Sequence, residues 1–170
     1  MSDTFTGIGY DCHRFAAGRR LILGGVAIEH ERGLEGHSDA DVLTHAVIDA
    51  LLGAAALGDI GQHFPDTDER YRGADSIELL RRTVRLLDAH GFAPVNVDAT
   101  VVLERPPLAP HRERVRSRLA EALGLPVERI SVKATRGEGM GFIGRGEGAA
   151  TLALATVSRR GAGGRSGAER

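Results

Sequence analysis

The sequence predicts an α+β fold: a mixed or antiparallel four-stranded sheet and an N-terminal hairpin, packed on about three helices. The chain opens with strand-like segments, an apolar and an amphipathic helical segment follow, and strands and helices then intermix. With 170 residues, 42% of them hydrophobic, the chain can form one core. We therefore expect a single domain over residues 1–157 and a disordered tail over residues 158–170, where apolar anchors are absent.

Several short segments have strand patterns. The segment TFTGIGY alternates as a strand does, and RLILGGVAI predicts two short strands joined through Gly24 and Gly25. VNVDATVVLE and ISVKAT are predicted strands as well. The apolar run AATLALATV fits a strand or a helix, and we favour the strand because periodicity does not decide between them.

Three helices are predicted from apolar spacing and from residues at their ends. Ser38, with Asp41 three residues later, resembles a capping box, and Gly58 follows the last apolar residue of this helix. The second helix covers about Asp75 to His90 and the third about Pro110 to Leu123. The apolar face of the second helix consists of Ile77, Leu80, Val84 and Leu87.

Composition and charge argue against several classes of protein. The net charge of -1 gives no support to a nucleic-acid or membrane partner. The longest mostly apolar run, AVIDALLGAAAL, is too short to cross a bilayer. A single cysteine excludes an internal disulfide framework, and no signal-peptide pattern precedes residue 30. We therefore expect a cytoplasmic protein.

The segment YDCHRF, residues 10–15, contains candidate metal ligands. On a strand, Asp11 and His13 project to one face and Cys12 to the other. A carboxylate beside an imidazole suits Zn²⁺ or a similar divalent ion, but a site needs at least a third ligand. For Cys12 we expect the role of a small apolar side chain facing the core.

His45 is the best candidate for the third ligand. It lies in a helical stripe with Asp41 and Asp49, four residues away on either side. We expect a neighbouring carboxylate to orient its second ring nitrogen, as is usual for metal-bound imidazoles. The alternative is that D-x-H occurs by chance and that His45 is a solvated or ion-paired residue.

Two further segments favour a phosphate-containing ligand. GHSDAD places His37 and Ser38 at a predicted helix N-terminus, where backbone N–H groups attract anions, although Ser38 also fits an ordinary cap. KATRGEGMGFIGRGEG combines three basic residues with Glu138 on a glycine-rich backbone, as expected where phosphate oxygens meet a bridging cation. It lacks the G-K-[ST] ending of a P-loop, and taken alone it fits a glycine-rich turn.

A resemblance to a known family extends over roughly residues 6–157. It rests on GIGYDCHRF, GHSDADVLTHAVIDALLGAAALGDIGQHFPDTD, NVDATVV and GFIGRGEG, in this order and spacing. These segments resemble the 2-C-methyl-D-erythritol 2,4-cyclodiphosphate synthase family of the non-mevalonate isoprenoid pathway. The resemblance implies a metal-dependent phosphorus-oxygen lyase that cyclises 4-diphosphocytidyl-2-C-methyl-D-erythritol 2-phosphate and releases CMP. It also implies a homotrimer with active sites between adjacent subunits.

The resemblance further implies roles for individual residues. The implied ligands of one Zn²⁺ or other divalent cation per subunit are Asp11, His13 and His45. Glu138 is implied to contact a second cation, Mg²⁺ or Mn²⁺, on the diphosphate, and His37 to be catalytic and to hold the 2-phosphate with Ser38. The implied substrate-binding residues are Asp11, His13, His37, Ser38, Asp59, Ile60, Gly61, Phe64, Pro65, Asp66, Thr67, Asp68, Thr135, Arg136, Gly137, Glu138, Phe142 and Arg145, with Leu103 to Ala109 on the cytidine side.

Three positions depart from the family's pattern: Arg136, Gly137 and Pro107. Where the family usually has A-T-T-T-E, this chain has A-T-R-G-E, so Arg136 replaces a threonine credited with transition-state stabilisation. Pro107 replaces a lysine that is typical of the cytidine loop. We interpret Arg136 as a catalytic substitute that supplies positive charge. Two other functions stay open: a metal and nucleotide binding module without turnover, and a zinc-dependent phosphohydrolase, for which no residue marks a dedicated base.

Overall fold

The computed structural model describes residues 3–160, and within them the predicted α+β class is confirmed. The strands are β1 (Thr4–Ala17), β2 (Leu21–Leu23), β3 (Val26–Ile28), β4 (Arg32–Leu34), β5 (Phe92–Val102), β6 (Ile130–Thr135) and β7 (Gly148–Arg159). The three long helices are α1 (Val42–Ala54), α3 (Ser76–Ala89) and α4 (Arg112–Leu123). Two single-turn helices, α2 (Ile60–His63) and α5 (Gly141–Gly144), were not predicted.

The main sheet has five strands in the order β4-β1-β7-β5-β6 and is mixed. Only β5 and β6 pair in parallel. The predicted count of four strands is wrong, because β4 adds three residues at the edge, where Phe15 pairs with Leu34. This strand was not predicted because it is only three residues long, with Gly33 at its centre, and therefore has no alternating apolar pattern. The predicted hairpin is confirmed as β2 and β3, with positive φ at Gly24 and Gly25.

Helix α1 lies directly against β1, because β1 has glycines where the two backbones meet. A Cβ on Gly9 would lie 1.9 Å from the Ala46 carbonyl oxygen, and one on Gly7 would lie 2.2 Å from that of Ala50. Most of α1 is buried between the sheet and α3. This close approach brings the second half of β1 to the side of α1 that carries His45.

On the opposite side of the sheet, no helix formed by residues 3–160 covers β1 and β7, and we call this side the open face. Its apolar members are Ile8, Tyr10, Leu152 and Leu154, which are 66%, 53%, 45% and 46% exposed. They form two adjacent cross-strand pairs, Tyr10 with Leu152 and Ile8 with Leu154. Cys12 also lies on the open face and is exposed, so the prediction that it faces the core is wrong. A contiguous exposed apolar patch of this kind is typical of an interaction surface.

The ends of several elements differ from the predicted ones. The N-cap of α1 is Asp41 instead of Ser38, and its C-cap is Ala55 instead of Gly58. The predicted bounds of α3 and α4 are confirmed to within two residues. The final strand is confirmed, but it continues to Arg159, past the predicted domain boundary at residue 157. Residues 161–170 of the predicted tail lie outside the described residues. Among residues 3–160, no helix is long and apolar enough to cross a membrane.

Asp41 is the N-cap of α1 and also holds the β2–β3 turn. Its buried carboxylate accepts the N–H groups of Gly24 (2.9 Å) and Gly25 (2.7 Å), and both the N–H (3.0 Å) and the hydroxyl (2.7 Å) of Thr44. We expect Asp41→Ala to lower the free energy of unfolding by on the order of 3 kcal/mol, because these donors lose their acceptor. Urea unfolding at one fixed protein concentration measures this change.

The matched control for Asp41 is Asp75→Ala. Asp75 is the exposed N-cap of α3 and accepts from the Ile77 N–H at 2.8 Å. We expect this variant to lose about 1 kcal/mol, because water can replace the lost acceptor. Equal losses in the two variants would contradict the special role of Asp41.

Candidate active site

The three predicted metal ligands converge. Asp11 Oδ2 lies 2.9 Å from His13 Nε2 and 3.1 Å from His45 Nδ1, and the two ring nitrogens are 3.4 Å apart. Ligand atoms that are about 2.0–2.1 Å from a tetrahedral zinc ion lie about 3.3 Å from one another, so this donor set fits such an ion. Within residues 3–160, no other group of His, Cys, Asp or Glu side chains has comparable spacing.

Hydrogen bonds orient His13, and the three clustered side chains shift one another's pKa values. His13 Nδ1 donates to the Glu35 carbonyl at 2.6 Å, which leaves Nε2 to face the other ligands. Burial by itself would raise the pKa of Asp11, but its close polar contacts with the His13 and His45 rings outweigh burial and hold that pKa well below its usual range. Burial lowers the pKa of His13, but the hydrogen bond and charge of Asp11 outweigh burial and raise it.

Two serine hydroxyls contact the second ring nitrogen of His45. The prediction that a neighbouring carboxylate orients this nitrogen is wrong, because Asp41 and Asp49 have other partners. His45 Nε2 lies 2.9 Å from Ser76 Oγ and 3.1 Å from Ser38 Oγ. Asp41 is turned toward the β2–β3 hairpin, and Asp49 accepts from the Ile60 N–H at 2.7 Å. Sequence reasoning missed Ser76, because 31 residues separate it from His45 and no local motif links the two.

A cavity of ≈ 380 Å³ adjoins the three ligands. Predicted residues that line it, beside the ligands, are His37, Ser38, Ile60, Gly61, Phe64 and Asp66. Four lining residues were not predicted as site residues: Gly36, Asp49, Tyr71 and Leu79. Asp49 follows His45 by one helical turn, which was an available signal, and Tyr71 packs edge to face on Phe64 at 5.5 Å between ring centroids.

Several other predicted residues lie near this cavity without lining it. These are Asp59, Pro65, Thr67 and Asp68. Asp59 is the N-cap of α2, and the Asp68 carbonyl accepts from His37 Nε2 at 3.2 Å. His37 and Ser38 precede the N-cap of α1 by several residues, so the expectation that they lie at its N-terminus is wrong.

A second cavity, of ≈ 370 Å³, lies between the loop after β5 and the end of β6. It is lined by the predicted cytidine-side residues 103–109, together with Thr135 and Arg136. The predicted residues Gly137 and Glu138 follow directly in sequence but do not line this cavity. The Gly137 N–H donates to Glu104 at 2.9 Å, and Glu138 forms an exposed ion pair with Arg136 at 3.3 Å.

Phe142 and Arg145 lie apart from both of these cavities. Phe142 lines a wider recess of ≈ 670 Å³, together with Cys12 and Phe15. Arg145 Nε donates to Glu147 at 2.5 Å.

Thr135 of the second cavity lies on the opposite face of the main sheet from Asp11 and His13. Asp11 and His13 share the face that α1 covers, whereas Thr135 is in register with Cys12 across β7 and β5, on the open face. Three strand spacings of about 4.8 Å separate β1 from β6 by about 14 Å. One chain therefore does not bring Thr135 to its own metal ligands.

Comparisons with known proteins agree with one another. The model of the YgbB family matches residues 4–158. The 2-C-methyl-D-erythritol 2,4-cyclodiphosphate synthase of Salinibacter ruber is 61% identical over 151 residues, which is 89% of this chain and 96% of that protein. The bifunctional IspDF structure from Campylobacter jejuni has a TM-score of 0.90 at 43% identity and covers 94% of this chain, which spans 43% of that longer chain. A CDP-bound 2C-methyl-D-erythritol-2,4-cyclodiphosphate synthase structure has a TM-score of 0.82 at 38% identity, with 89% of this chain and 99% of that chain covered.

Proposed function

Because the chain belongs to the YgbB family, whose curated relatives are named 2-C-methyl-D-erythritol 2,4-cyclodiphosphate synthase, we propose that it catalyses formation of this cyclodiphosphate in isoprenoid biosynthesis. The resemblance found in the sequence is thereby confirmed. The substrate is 4-diphosphocytidyl-2-C-methyl-D-erythritol 2-phosphate. An oxygen of its 2-phosphate bonds to the β-phosphorus, the bond from that phosphorus to the CMP group breaks, and CMP leaves. This makes the enzyme a phosphorus-oxygen lyase.

The observation that carries the proposal is the convergence of Asp11, His13 and His45 beside a cavity. We propose that they would hold one Zn²⁺ per subunit, as three protein ligands do in catalytic zinc sites. Zinc bound there supplies Lewis-acid stabilisation of charge on phosphate oxygens. Glu138 is exposed and available to a second divalent cation, Mg²⁺ or Mn²⁺, on the diphosphate.

The remaining residues are proposed to position the substrate, since attack within one molecule needs alignment and charge neutralisation more than a protein nucleophile. His37 and Ser38 lie beside the metal ligands and hold the 2-phosphate. The erythritol group lies against Ile60, Gly61, Phe64 and Asp66, with Asp59, Pro65, Thr67 and Asp68 around them. The cytidine occupies the cavity of residues 103–109, Thr135 and Arg136, next to Gly137 and Glu138. Phe142 and Arg145 complete the proposed substrate contacts.

We propose a homotrimer in which each active site combines the metal cavity of one subunit with the cytidine cavity of the next. The placement of Asp11 and Thr135 on opposite faces of the sheet supports this arrangement. The apolar patch of the open face gives a second copy a surface to bury. We place the enzyme in the cytoplasm, with a small cytidine nucleotide as its ligand and neither nucleic acid nor membrane as a partner, consistent with its net charge of -1.

The experiment that tests this function follows phosphorus signals by NMR while purified protein acts on the diphosphocytidyl substrate with Zn²⁺ and Mg²⁺. We expect the substrate signals to be replaced by those of the cyclic diphosphate and CMP. Unchanged substrate would indicate a binding module without turnover. Free inorganic phosphate would indicate a phosphohydrolase, and either result would reject the proposal.

Leu154→Glu tests the open face. It places a charge within the apolar patch, where burial against another copy would be costly, so we expect the trimer to dissociate and cyclodiphosphate formation to be lost. Zinc content should stay at the parent value, because all three ligands come from one chain. Sedimentation and metal analysis measure both properties.

The matched control for Leu154 is Ala27→Glu. Ala27 is an exposed position of β3, outside the open face, and is expected to tolerate the same charge without change in assembly. A Leu154→Glu protein that stays a fully active trimer would contradict the proposed interface.

A further inference from the structure

The surroundings of His45 contain a pair of residues that the proposed function does not yet use. Ser76 is the first residue of α3 and is fully buried, and Asp39 lies in the loop before α1. The Ser76 hydroxyl donates to Asp39 Oδ1. Asp39 Oδ2 also accepts the Ser76 backbone N–H at 3.0 Å, so the carboxylate binds the serine at two points.

The direction of these hydrogen bonds determines what Ser76 offers to His45. A serine hydroxyl has one proton, and here that proton is directed to a carboxylate, which only accepts. Toward His45 Nε2, at 2.9 Å, Ser76 Oγ therefore presents a lone pair and requires an N–H. A neutral imidazole with its proton on Nε2 has a free lone pair on Nδ1, the atom that faces Asp11 and His13.

We propose that Ser76, held by Asp39, is a positioning residue that fixes His45 as the Nε2-protonated tautomer and so presents Nδ1 to the metal ion. The inference rests on the metal site of the proposed function. Without such a device, Asp11 Oδ2, 3.1 Å from Nδ1, would attract the ring proton to the side on which the ion must bind. Ser76 and Asp39 thus act through His45 and do not touch the substrate.

Ser38 is a weaker acceptor for the same nitrogen. Its Oγ lies 3.1 Å from His45 Nε2 and also accepts the Ala40 N–H at 3.3 Å, and no carboxylate in the described part of the chain accepts its proton. Ser38 lines the cavity, where the proposed function uses it to hold a phosphate. We therefore expect loss of the Ser76 hydroxyl to lower zinc affinity, and loss of the Ser38 hydroxyl to lower activity instead.

The test measures zinc affinity by chelator competition on the metal-stripped full chain. We expect Ser76→Ala to weaken zinc binding about 10- to 100-fold, the usual range for loss of a group that orients a metal ligand. Ser38→Ala should change zinc affinity much less while it lowers activity. Thr83→Ala removes another buried hydroxyl from α3, one bonded to the Leu79 carbonyl, and should leave zinc affinity unchanged.

Asp39→Asn provides a second variant of nearly identical shape, in case Ser76→Ala fails to fold. The new amide group can donate to Ser76 Oγ, which turns the serine proton toward His45 and favours the wrong tautomer. We expect about a 10-fold or greater loss of zinc affinity. In nitrogen-edited NMR of the zinc-loaded parent, the His45 Nε2 proton should exchange slowly with water, and it should exchange faster in Ser76→Ala.

The outcomes separate this inference from the proposed function. Parent-like zinc affinity in either Ser76→Ala or Asp39→Asn overturns the inference, as does an equal loss in Thr83→Ala. A parent protein that binds no zinc overturns both the inference and the metal part of the proposed function. A parent that binds zinc through this device but forms no cyclodiphosphate rejects only the proposed function.

Discussion

His45→Ala is expected to remove most of the bound zinc and to abolish cyclodiphosphate formation. The parent protein should carry about one zinc ion per subunit after purification, because three ligands at tetrahedral spacing hold zinc firmly. Loss of His45 leaves Asp11 and His13, and two ligands do not form a stable protein site. Metal analysis by mass spectrometry and the phosphorus NMR assay measure the two losses.

Cys12→Ala is the matched control for His45→Ala. Cys12 lies between two proposed ligands in sequence, but its side chain is exposed on the open face, away from the metal cluster. We expect this variant to keep both its zinc and its activity. Equal zinc loss in the two variants would reject the assignment of the ligands.

Arg136→Ala is expected to lower kcat on the order of 10²-fold with little change in KM. The guanidinium lines the proposed cytidine cavity and lies 3.3 Å from Glu138, where charge moves toward the departing CMP. An interaction that strengthens as this charge develops stabilises the transition state more than the bound substrate. Steady-state kinetics of CMP release measure both constants. If Arg136→Ala has the kcat and KM of the parent, Arg136 has no catalytic role.

Arg136→Thr asks whether the family's usual residue can replace the arginine. We expect it to recover much of the activity lost in Arg136→Ala, because a hydroxyl restores a hydrogen-bond donor. The neighbouring Gly137 should be left unchanged, since a Cβ there would lie 2.5 Å from the Gly144 backbone nitrogen. A threonine at position 137 therefore does not fit the present loop.

The fold was largely predictable because its long elements have strong local signals. The apolar face of α3, the glycine pair of the hairpin and the β-rich segments VNVDATVV and ISVKAT all formed the expected elements. The start of α1 was predicted wrongly, because Asp41 receives two of its hydrogen bonds from a hairpin turn that is distant in sequence. No capping pattern along the chain contains that information.

The metal ligands were predictable for a different reason. D-x-H on a strand fixes two ligands on one face, and a histidine on an apolar helix is a conspicuous third. The role of Ser76 and the exposure of Cys12 were not predictable, because both depend on which face of the sheet a helix covers. The glycines at positions 7 and 9 determine that face through their backbone contact with α1, and a strand pattern alone does not distinguish a helix-covered face from an open one.

The most direct test of the account is whether two inactive variants restore each other's activity, since the proposed site takes its metal ligands from one subunit and its Glu138 side from another. His45→Ala and Glu138→Ala, each inactive alone, would be co-expressed with different tags and purified as mixed trimers. Every mixed trimer, with two copies of one variant and one of the other, has both halves intact at one of its interfaces, so we expect about a third of parent activity per subunit. Mixed trimers no more active than either variant alone would contradict an active site shared between subunits.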